Sequence, residues 1–296
     1  MNNTENKEVS LYHRKRSISD VLLKIAIYTS AIITVLVLLL IIAYILSNGV
    51  SYISWKFLST KYSEVDPNLK GILPMIINTL YIVVITLLLS IPIGISSAIY
   101  LTQYAKQGRL IKAIRFTTGI LAGIPSIIFG LFGYTVFCVV FKMGTSILAG
   151  CLTMTICILP TIIRTTEESL LAVPKSYKEG AVALGAGNLR VILGIVLPCA
   201  VPGILTAIIL AMGRIVGESA ALLYTSGMAY NMPKNWFSHI MSSGRTLTLH
   251  LYQTAKQATT QDAFNIAFAI ATVLLIIVFI LNVLIELLSR KFNKEK

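Results

Sequence analysis

Six long apolar stretches alternate with shorter polar segments along the chain. Each is long enough to cross the hydrocarbon core of a bilayer as a helix, which takes about 20 residues. Helices are the expected spanning elements because backbone polar groups in lipid must be satisfied internally, and the alternation typical of a membrane β-barrel is absent. The predicted spans are about 22–47, 72–101, 116–140, 146–163, 199–224 and 264–288. The pattern predicts an all-α, polytopic integral membrane protein with six transmembrane helices.

Two of these spans contain residues that disfavour a continuous helix. Pro92 and Gly94 interrupt the second span, and the third contains the segment Gly-Ile-Pro-Ser at 123–126. Proline cannot donate a backbone hydrogen bond, and glycine loses more conformational freedom in a helix than other residues. We therefore expect the third span to be broken at 123–126.

The composition favours a membrane protein over a soluble one. Hydrophobic residues make up 56% of the chain and charged residues 12%, whereas soluble proteins carry about 25% charged residues. Mean hydropathy is +0.81. The net charge of +13 would fit a nucleic-acid-binding protein if the basic residues formed one patch. They cluster instead in separate loops, so we exclude nucleic acid as a partner and expect a lipid bilayer.

The positions of lysine and arginine predict the orientation in the membrane. Most of them lie in the N-terminal tail, in the loops at 106–115 and 164–190, and in the C-terminal tail. In a six-span chain these segments lie on one side, which the positive-inside rule assigns to the cytoplasm. Both termini are therefore expected in the cytoplasm. The first apolar stretch is too long for a signal-peptide core, so we expect it to be retained as a span.

Few residues could carry enzyme chemistry. The cysteines all lie in apolar stretches and are expected to be small buried side chains; they are Cys138, Cys151, Cys157 and Cys199. The histidines are scattered, so no metal site is expected. The chain has no phosphate loop of the G-x-x-x-x-G-K-[ST] type and is not expected to bind ATP. No nucleophile, metal cluster or acid pair supports a membrane-embedded enzyme.

A polar, glycine-containing loop at about 164–197 separates the fourth and fifth spans. Pro174 suits the first turn of a helix, and Gly185 and Gly187 suit its end. Tyr177, Ala181 and Leu184 form an apolar stripe on that helix. A second short helix at about 188–196 would lead into Pro198. The pattern predicts a helix–turn–helix bracket that a partner could grip, and a surface loop without a partner is the alternative.

Two charged residues, Arg214 and Glu218, lie inside the fifth predicted span. Their i, i+4 spacing places them on one face of a continuous helix, close enough to pair. A charge at bilayer depth costs about 2.5–3.5 kcal/mol and normally faces a bundle interior or a water-filled path. The pair is therefore either a structural lock between helices or a place where Arg214 lines the route of an anion, since a guanidinium binds oxyanions through two parallel hydrogen bonds.

The loop resembles the EAA loop of bacterial ABC-importer permeases. Residues 179–185 read EGAVALG, and IVLP follows at 195–198, which matches the family pattern E-A-A-x3-G-x9-I-x-L-P except for Gly180 in place of alanine. The resemblance implies the type I ABC importer permease fold and a cytoplasmic loop that docks into a cleft of a separate ATPase. The residues that it assigns to this coupling are Glu179, Gly180, Ala181, Gly185, Leu197 and Pro198.

Three further segments resemble the permeases of phosphate importers. Residues 213–220 are similar to their A-R-x-x-G-E-T-A segment, residues 164–168 to their R-T-T-E stretch, and residues 121–131 to their G-x-P-S-I-x-x-G-L segment. Together with the loop they cover about residues 71–288. The run at 246–252 is more similar to the PstA subunit than to its PstC partner, although Thr248 stands where that subunit has proline.

This narrower resemblance implies candidate functional residues. The substrate pathway would include Arg214, Glu218, Ser219, Gly123, Pro125 and Ser126, with Arg164 as a candidate cytoplasmic charge site. The break at 123–126 would expose backbone groups to an aqueous path; a simple proline kink with tight packing is the alternative.

The resemblance also implies an assembly and a location. The chain would form an inorganic phosphate channel in the bacterial cytoplasmic membrane with a PstC-type second permease. A homodimeric PstB-type ATPase would bind the ATP, and a PstS-type extracytoplasmic protein would deliver phosphate. The expected division is 1–70, holding the N-terminal tail, first helix and outer loop, and 71–296, a five-helix permease core. The rivals are a permease for sulfate, molybdate or phosphonate, and an ion-coupled secondary carrier with Arg214 and Glu218 as a proton relay.

Overall fold

The computed structural model describes residues 18–63, 70–106, 108–232 and 235–294. Within these ranges the regular structure is helical, and the extended pairing consists of one isolated bridge between Tyr62 and Lys70. The α-helices are α1 (Ile18–Gly49), α2 (Trp55–Ser59), α3 (Leu73–Ile99), α4 (Arg109–Gly123), α5 (Ser126–Gly133), α6 (Ile147–Leu171), α7 (Lys175–Ala183), α8 (Asn188–Val191), α9 (Leu197–Gly217), α10 (Ala220–Thr225), α11 (Trp236–Ile240), α12 (Leu247–Gln257) and α13 (Gln261–Lys294).

Wider π-helical turns extend three of these elements. They are Tyr100–Tyr104 after α3, Tyr134–Val140 after α5, and Ile192–Val196 between α8 and α9. In the described residues, five helical segments are long and apolar enough to cross a membrane, and a sixth results if the bent pair α4 and α5 forms one span. The predicted all-α, multi-span architecture is confirmed.

Three predicted span boundaries are clearly wrong. The third span was expected to begin near residue 116 after a basic loop, but α4 begins at Arg109. The fourth span was expected to end near residue 163, but α6 continues to Leu171, because Arg164 and Glu168 pair along its exposed side and Thr166 and Glu167 are buried. The fifth span was expected to run to 224, but α9 ends at Gly217 and α10 begins at Ala220. The loop between α6 and α9 is correspondingly shorter than predicted.

The residues group into two compact units, Met1–Ser47 and Asn48–Lys296. In its described part, the first unit is most of the apolar helix α1, whose hydrophobic side chains are exposed on all sides. This distribution suits a helix surrounded by lipid. The second unit contains the remaining helices. The predicted division of the chain near residue 71 stays a prediction.

Helix α6 lies at the centre of the second unit and packs against α3, α5, α9 and α10. Its buried residues Met154, Ile158 and Ile162 join a core that includes Ile82 of α3 and Ile215 of α9. Small residues allow close approach between helices, as is common in membrane bundles. A side chain at Gly94 would collide with Ile162, and one at Gly133 would collide with Thr153.

The segment between α10 and α13 folds back over the bundle through a buried polar network. Asn78 of α3 donates to the carbonyl oxygen of Arg245 at 3.2 Å and contacts Nε2 of His239 at 2.8 Å. The Arg245 guanidinium stacks on Tyr230, 4.3 Å from the ring centroid, and approaches Nδ1 of His250 at 3.5 Å. These contacts hold α11 and α12 against the N-terminal end of α3.

Candidate functional site

The first candidate site lies where α9 ends. Glu218 has extended backbone angles, φ −79° and ψ 124°, so the helix does not continue through it. Its carboxylate Oε1 accepts hydrogen bonds from the backbone N–H groups of Ala220 and Ala221, at 3.0 and 3.2 Å. The first N–H groups of a helix have no partner within the helix, and carboxylates commonly satisfy them. Glu218 therefore caps α10, and Ser219 lies inside this junction.

Arg214 lies one turn before the end of α9 and is half-buried. Its terminal nitrogen NH1 lies 3.5 Å from the hydroxyl oxygen of Thr161 on α6. Cys157, one turn before Thr161 on α6, is fully buried. Among the described residues, no carboxylate oxygen lies within the 4 Å of an ion pair with Arg214.

The predicted pairing of Arg214 with Glu218 is therefore wrong. An i, i+4 pair needs four residues of continuous helix, and α9 stops between the two. The chain turns at Gly217 and Glu218, and the carboxylate is used by the first turn of α10. The two residues lie on either side of Gly217, where α9 ends.

The predicted break in the third span is confirmed. Helix α4 ends at Gly123, α5 begins at Ser126, and the two axes differ by 100°. Ile124 and Pro125 have extended backbone angles, and Gly123 and Pro125 are exposed. None of the contacts found among the described residues joins this break to Arg214, so the structure does not gather all predicted pathway residues into one cluster.

The broken span meets the region of Glu218 further along α5. A side chain at Gly130 would lie 2.9 Å from the Cα atom of Ala221 and 3.1 Å from its carbonyl oxygen. Glycine is required here because the backbones of α5 and α10 touch. Ala221 is also one of the two residues whose N–H groups bind Glu218.

The second candidate site is the loop between α6 and α9, which forms the predicted helix–turn–helix. Gly185 has φ +83°, the left-handed conformation that favours glycine. Its N–H donates to the carbonyl of Val182 at 2.9 Å, and Ala186 N–H donates to that of Ala181 at 3.0 Å. Gly187 has φ −69° and needs no glycine-specific conformation. Gly185 thus makes the turn and Gly187 does not.

The predicted apolar stripe on α7 is only partly buried. Ala181 packs into a cluster with Leu170 of α6 and Val191 of α8. Tyr177 is 54% exposed and Leu184 is 91% exposed, so these two side chains point away from the bundle. Leu189 of α8 is also exposed. The loop therefore presents apolar side chains that this chain leaves uncovered.

The coupling residues named from the sequence divide between this surface and its support. Glu179 and Gly180 are exposed on α7, whereas Leu197 and Pro198 are half-buried at the start of α9. The ammonium group of Lys178 donates to Oε1 of Gln103 at 3.1 Å and ties α7 to the end of the second span.

Several residues at these sites were not predicted. Thr161, Cys157 and Gln103 lie in or beside apolar stretches, where the sequence gives no signal of what they face. Cys157, Cys151 and Cys138 are buried as expected, but Cys199 is exposed, which corrects the prediction that all the cysteines are buried. Arg164 is exposed and pairs with Glu168 at 3.0 Å, one turn away on the same helix.

Comparison with known proteins places the chain in a transport family. The model of the binding-protein-dependent transport system inner membrane component matches residues 90–294. The protein named "Probable ABC transporter permease protein YqgI" of Bacillus subtilis (strain 168) is 34% identical, with 95% of this chain and 98% of that protein covered. The "Phosphate transport system permease protein PstA" of Haemophilus influenzae is 33% identical, with 88% and 90% covered.

Solved structures share the fold. A chain of the bacterial alginate ABC transporter, solved with a periplasmic protein carrying an alginate pentasaccharide, aligns with a TM-score of 0.67 at 18% identity, covering 93% of this chain and 96% of that one. A chain of the inward-facing MetNI methionine ABC transporter aligns with a TM-score of 0.57 at 19% identity, covering 75% and 94%. The expected type I ABC importer permease fold is confirmed.

The matched residues 90–294 include the broken span, the loop and the end of α9, so both candidate sites lie inside the family's region. The chain belongs to the binding-protein-dependent transport system inner membrane component family, and it is a multi-span permease subunit of an ABC importer, a transport component and not an enzyme.

Proposed function

We propose that this permease conducts inorganic phosphate as a PstA-type subunit. Arg214 carries the proposal. Its guanidinium is half-buried at the end of a spanning helix, and its hydrogen-bond partner among the described residues is the neutral hydroxyl of Thr161. A cation at this depth is costly without an anion, and a planar guanidinium can donate two parallel hydrogen bonds to an oxyanion. A passing phosphate would supply the missing negative charge.

Relatives support the choice of substrate. Permeases named for phosphate transport match most of this chain at about one-third identity, including that of Haemophilus influenzae. Another, from Pasteurella multocida (strain Pm70), is 34% identical over 215 residues. Glu218 does not neutralise Arg214 by direct pairing, because its carboxylate is held by the first turn of α10.

Energy for transport would enter through the loop between α6 and α9. The exposed side chains of Tyr177, Leu184 and Leu189 fit a hydrophobic cleft on a partner, and Glu179 lies exposed on the same helix. We infer that this surface docks on a homodimeric ATPase, which binds the ATP. A second permease would complete the channel, and an extracytoplasmic phosphate-binding protein would load it. We place the loop and both termini in the cytoplasm.

The test is uptake of labelled phosphate by the whole importer in vesicles loaded with ATP. Arg214→Gln should lower uptake at least about tenfold, since a charge-assisted hydrogen bond contributes about 1.5–3 kcal/mol. Arg214→Lys keeps the positive charge but cannot donate two parallel hydrogen bonds, and we expect this variant to retain part of the uptake activity. ATPase binding should be unchanged in both variants. Full uptake by Arg214→Gln at matched membrane levels would exclude the proposed role.

Competing oxyanions distinguish the closest alternative. Excess unlabelled phosphate should abolish uptake of the label, whereas sulfate, molybdate and phosphonate should leave it nearly unchanged. Stronger inhibition by one of these anions than by phosphate would reassign the substrate. Uptake that follows a proton gradient without ATP would favour a secondary carrier.

A further inference from the structure

Helix α4 lies on the N-terminal side of the 100° bend in the broken span. The segment Ser126–Val140 that follows it packs beside α6, with Gly133 against Thr153. Helix α4 contacts α6 as well. Its own contacts with α6 lie towards the end of that helix, where Ile111 and Ile114 meet Leu159 and Ile163.

One face of α4 is firmly attached there. Nε of Arg115 donates to Oε1 of Glu167 at 3.2 Å, and a terminal nitrogen of the same guanidinium donates to the carbonyl oxygen of Leu101 at 3.4 Å. Ile111 is 4% exposed in the same contact. The ion pair between Arg115 and Glu167 and the buried Ile111 fix the rotation of α4 about its axis. The opposite face of α4 therefore points away from α6.

The outward face has a basic half and an apolar half. Arg109, Lys112, Phe116 and Ile120 follow at spacings of three and four residues, which places them on one side of the helix, and all are exposed. Lys106 lies exposed just before the helix. Phe116 is 71% exposed. The sequence has no aspartate or glutamate between residues 101 and 166, so no neighbour along the chain neutralises these cations.

This arrangement fits the boundary between lipid headgroups and acyl chains. Helices that lie in that layer combine basic residues with aromatic and aliphatic side chains that insert among the acyl chains. Basic residues next to a membrane attract anionic lipids, each by about fivefold in affinity. We propose that α4 lies in the headgroup layer and binds anionic phospholipid headgroups through Lys106, Arg109 and Lys112. This inference does not depend on the transported substrate.

The test compares the lipids that stay bound to the purified protein. The full-length chain is taken from membranes of mixed phosphatidylglycerol and phosphatidylcholine, and the ratio of retained lipids is measured by native mass spectrometry. The double variant Arg109→Gln, Lys112→Gln should lower the ratio of phosphatidylglycerol to phosphatidylcholine by on the order of tenfold. The charge-preserving variant Arg109→Lys, Lys112→Arg should keep the wild-type ratio.

A matched control removes two other exposed cations. Lys175→Gln with Arg190→Gln changes the charge of the chain equally but should leave the ratio unchanged. An unchanged ratio in the α4 double variant, or an equal loss in this control, would overturn the proposal. A photoreactive residue in place of Phe116, in the assembled importer, identifies the neighbour directly: we expect lipid adducts, and cross-links to another permease or to the ATPase would assign this face to a protein interface instead.

Discussion

The carboxylate of Glu218 accepts two backbone hydrogen bonds from the first turn of α10, and this contact separates two roles for the residue. Glu218→Gln retains an oxygen that can accept these bonds, whereas Glu218→Ala removes the cap. Loss of a cap costs about 0.5–2 kcal/mol. We expect thermal stability in detergent to fall in the alanine variant and to stay near wild type in the glutamine variant. Equal destabilisation by both would mean that the charge, and not the cap, is what matters.

His250 makes the stability of the segment between α10 and α13 sensitive to acid. Burial and the nearby Arg245 guanidinium lower the pKa of His250 from 6.5 to about 3. Between these pH values the unfolded chain binds a proton that the folded chain does not, so stability is lost as the pH falls below about 6.5, by about 1.4 kcal/mol per pH unit.

The corresponding variant is His250→Gln, studied by thermal unfolding of the detergent-solubilised protein at several pH values. The variant also loses the contacts of the imidazole, so the quantity to compare is the slope of stability against pH and not the absolute stability. We expect a shallower slope between about pH 6 and 4. A slope equal to that of wild type would show that His250 does not carry this acid sensitivity.

At the level of single elements, the turn between α7 and α8 offers a matched pair of glycines. Gly185 has φ +83°, whereas Gly187 has φ −69°, and an added side chain would meet nothing within 4 Å at either position. Gly185→Val should therefore act only through the backbone, since an L-residue in the left-handed region costs about 1–2 kcal/mol. Gly187→Val should be tolerated.

We expect Gly185→Val to reach the membrane but to lose ATP-driven uptake by about fivefold or more, because the turn sets the angle between α7 and α8. Binding of the ATPase, measured by co-purification, should weaken in the same variant and not in Gly187→Val. Normal uptake by Gly185→Val would contradict a coupling role for this turn.

Helix interiors were easier to predict than helix ends. Apolar length alone located the spans, and Gly185 located the turn of the loop, because left-handed backbone angles strongly favour glycine. The ends of α6 and α9 depend on contacts distant in sequence or on caps that compete with helix continuation. Glu218 could extend α9 or cap α10, and only the second choice satisfies the N–H groups of Ala220 and Ala221.

For the molecule as a whole, the predicted orientation can be tested at one position before α9 and one position after it in the sequence. Asn188 and Asn235 are both exposed and lie before and after this span. A cysteine at position 188 should react with impermeant reagents only from the cytoplasmic side, and one at position 235 only from outside. Because Cys199 is itself exposed, the experiment needs a Cys199→Ser background. Labelling of position 188 in intact cells would show that the predicted orientation is wrong.

The family and fold were accessible from the sequence, whereas the arrangement around Arg214 was not. Motif spacing identifies a permease because the residues of the motif lie in one continuous stretch of sequence. The hydrogen-bond partner of Arg214, Thr161, lies on α6 and is 53 residues away in the sequence. Whether Arg214 contacts Glu218, Thr161 or the break at 123–126 depends on how the helices pack. A local sequence pattern does not predict that packing.

The contact between Gly130 and Ala221 has a consequence for motion. With backbone against backbone there is no soft side chain between α5 and α10 to absorb a displacement, so the two short helices should move as one rigid block. That block is bounded by the break at 124–125 on one side and by the junction at 218–219 on the other. Both interruptions would then be the places where the chain bends when this block moves, and the Glu218 cap would shift relative to the Arg214 guanidinium.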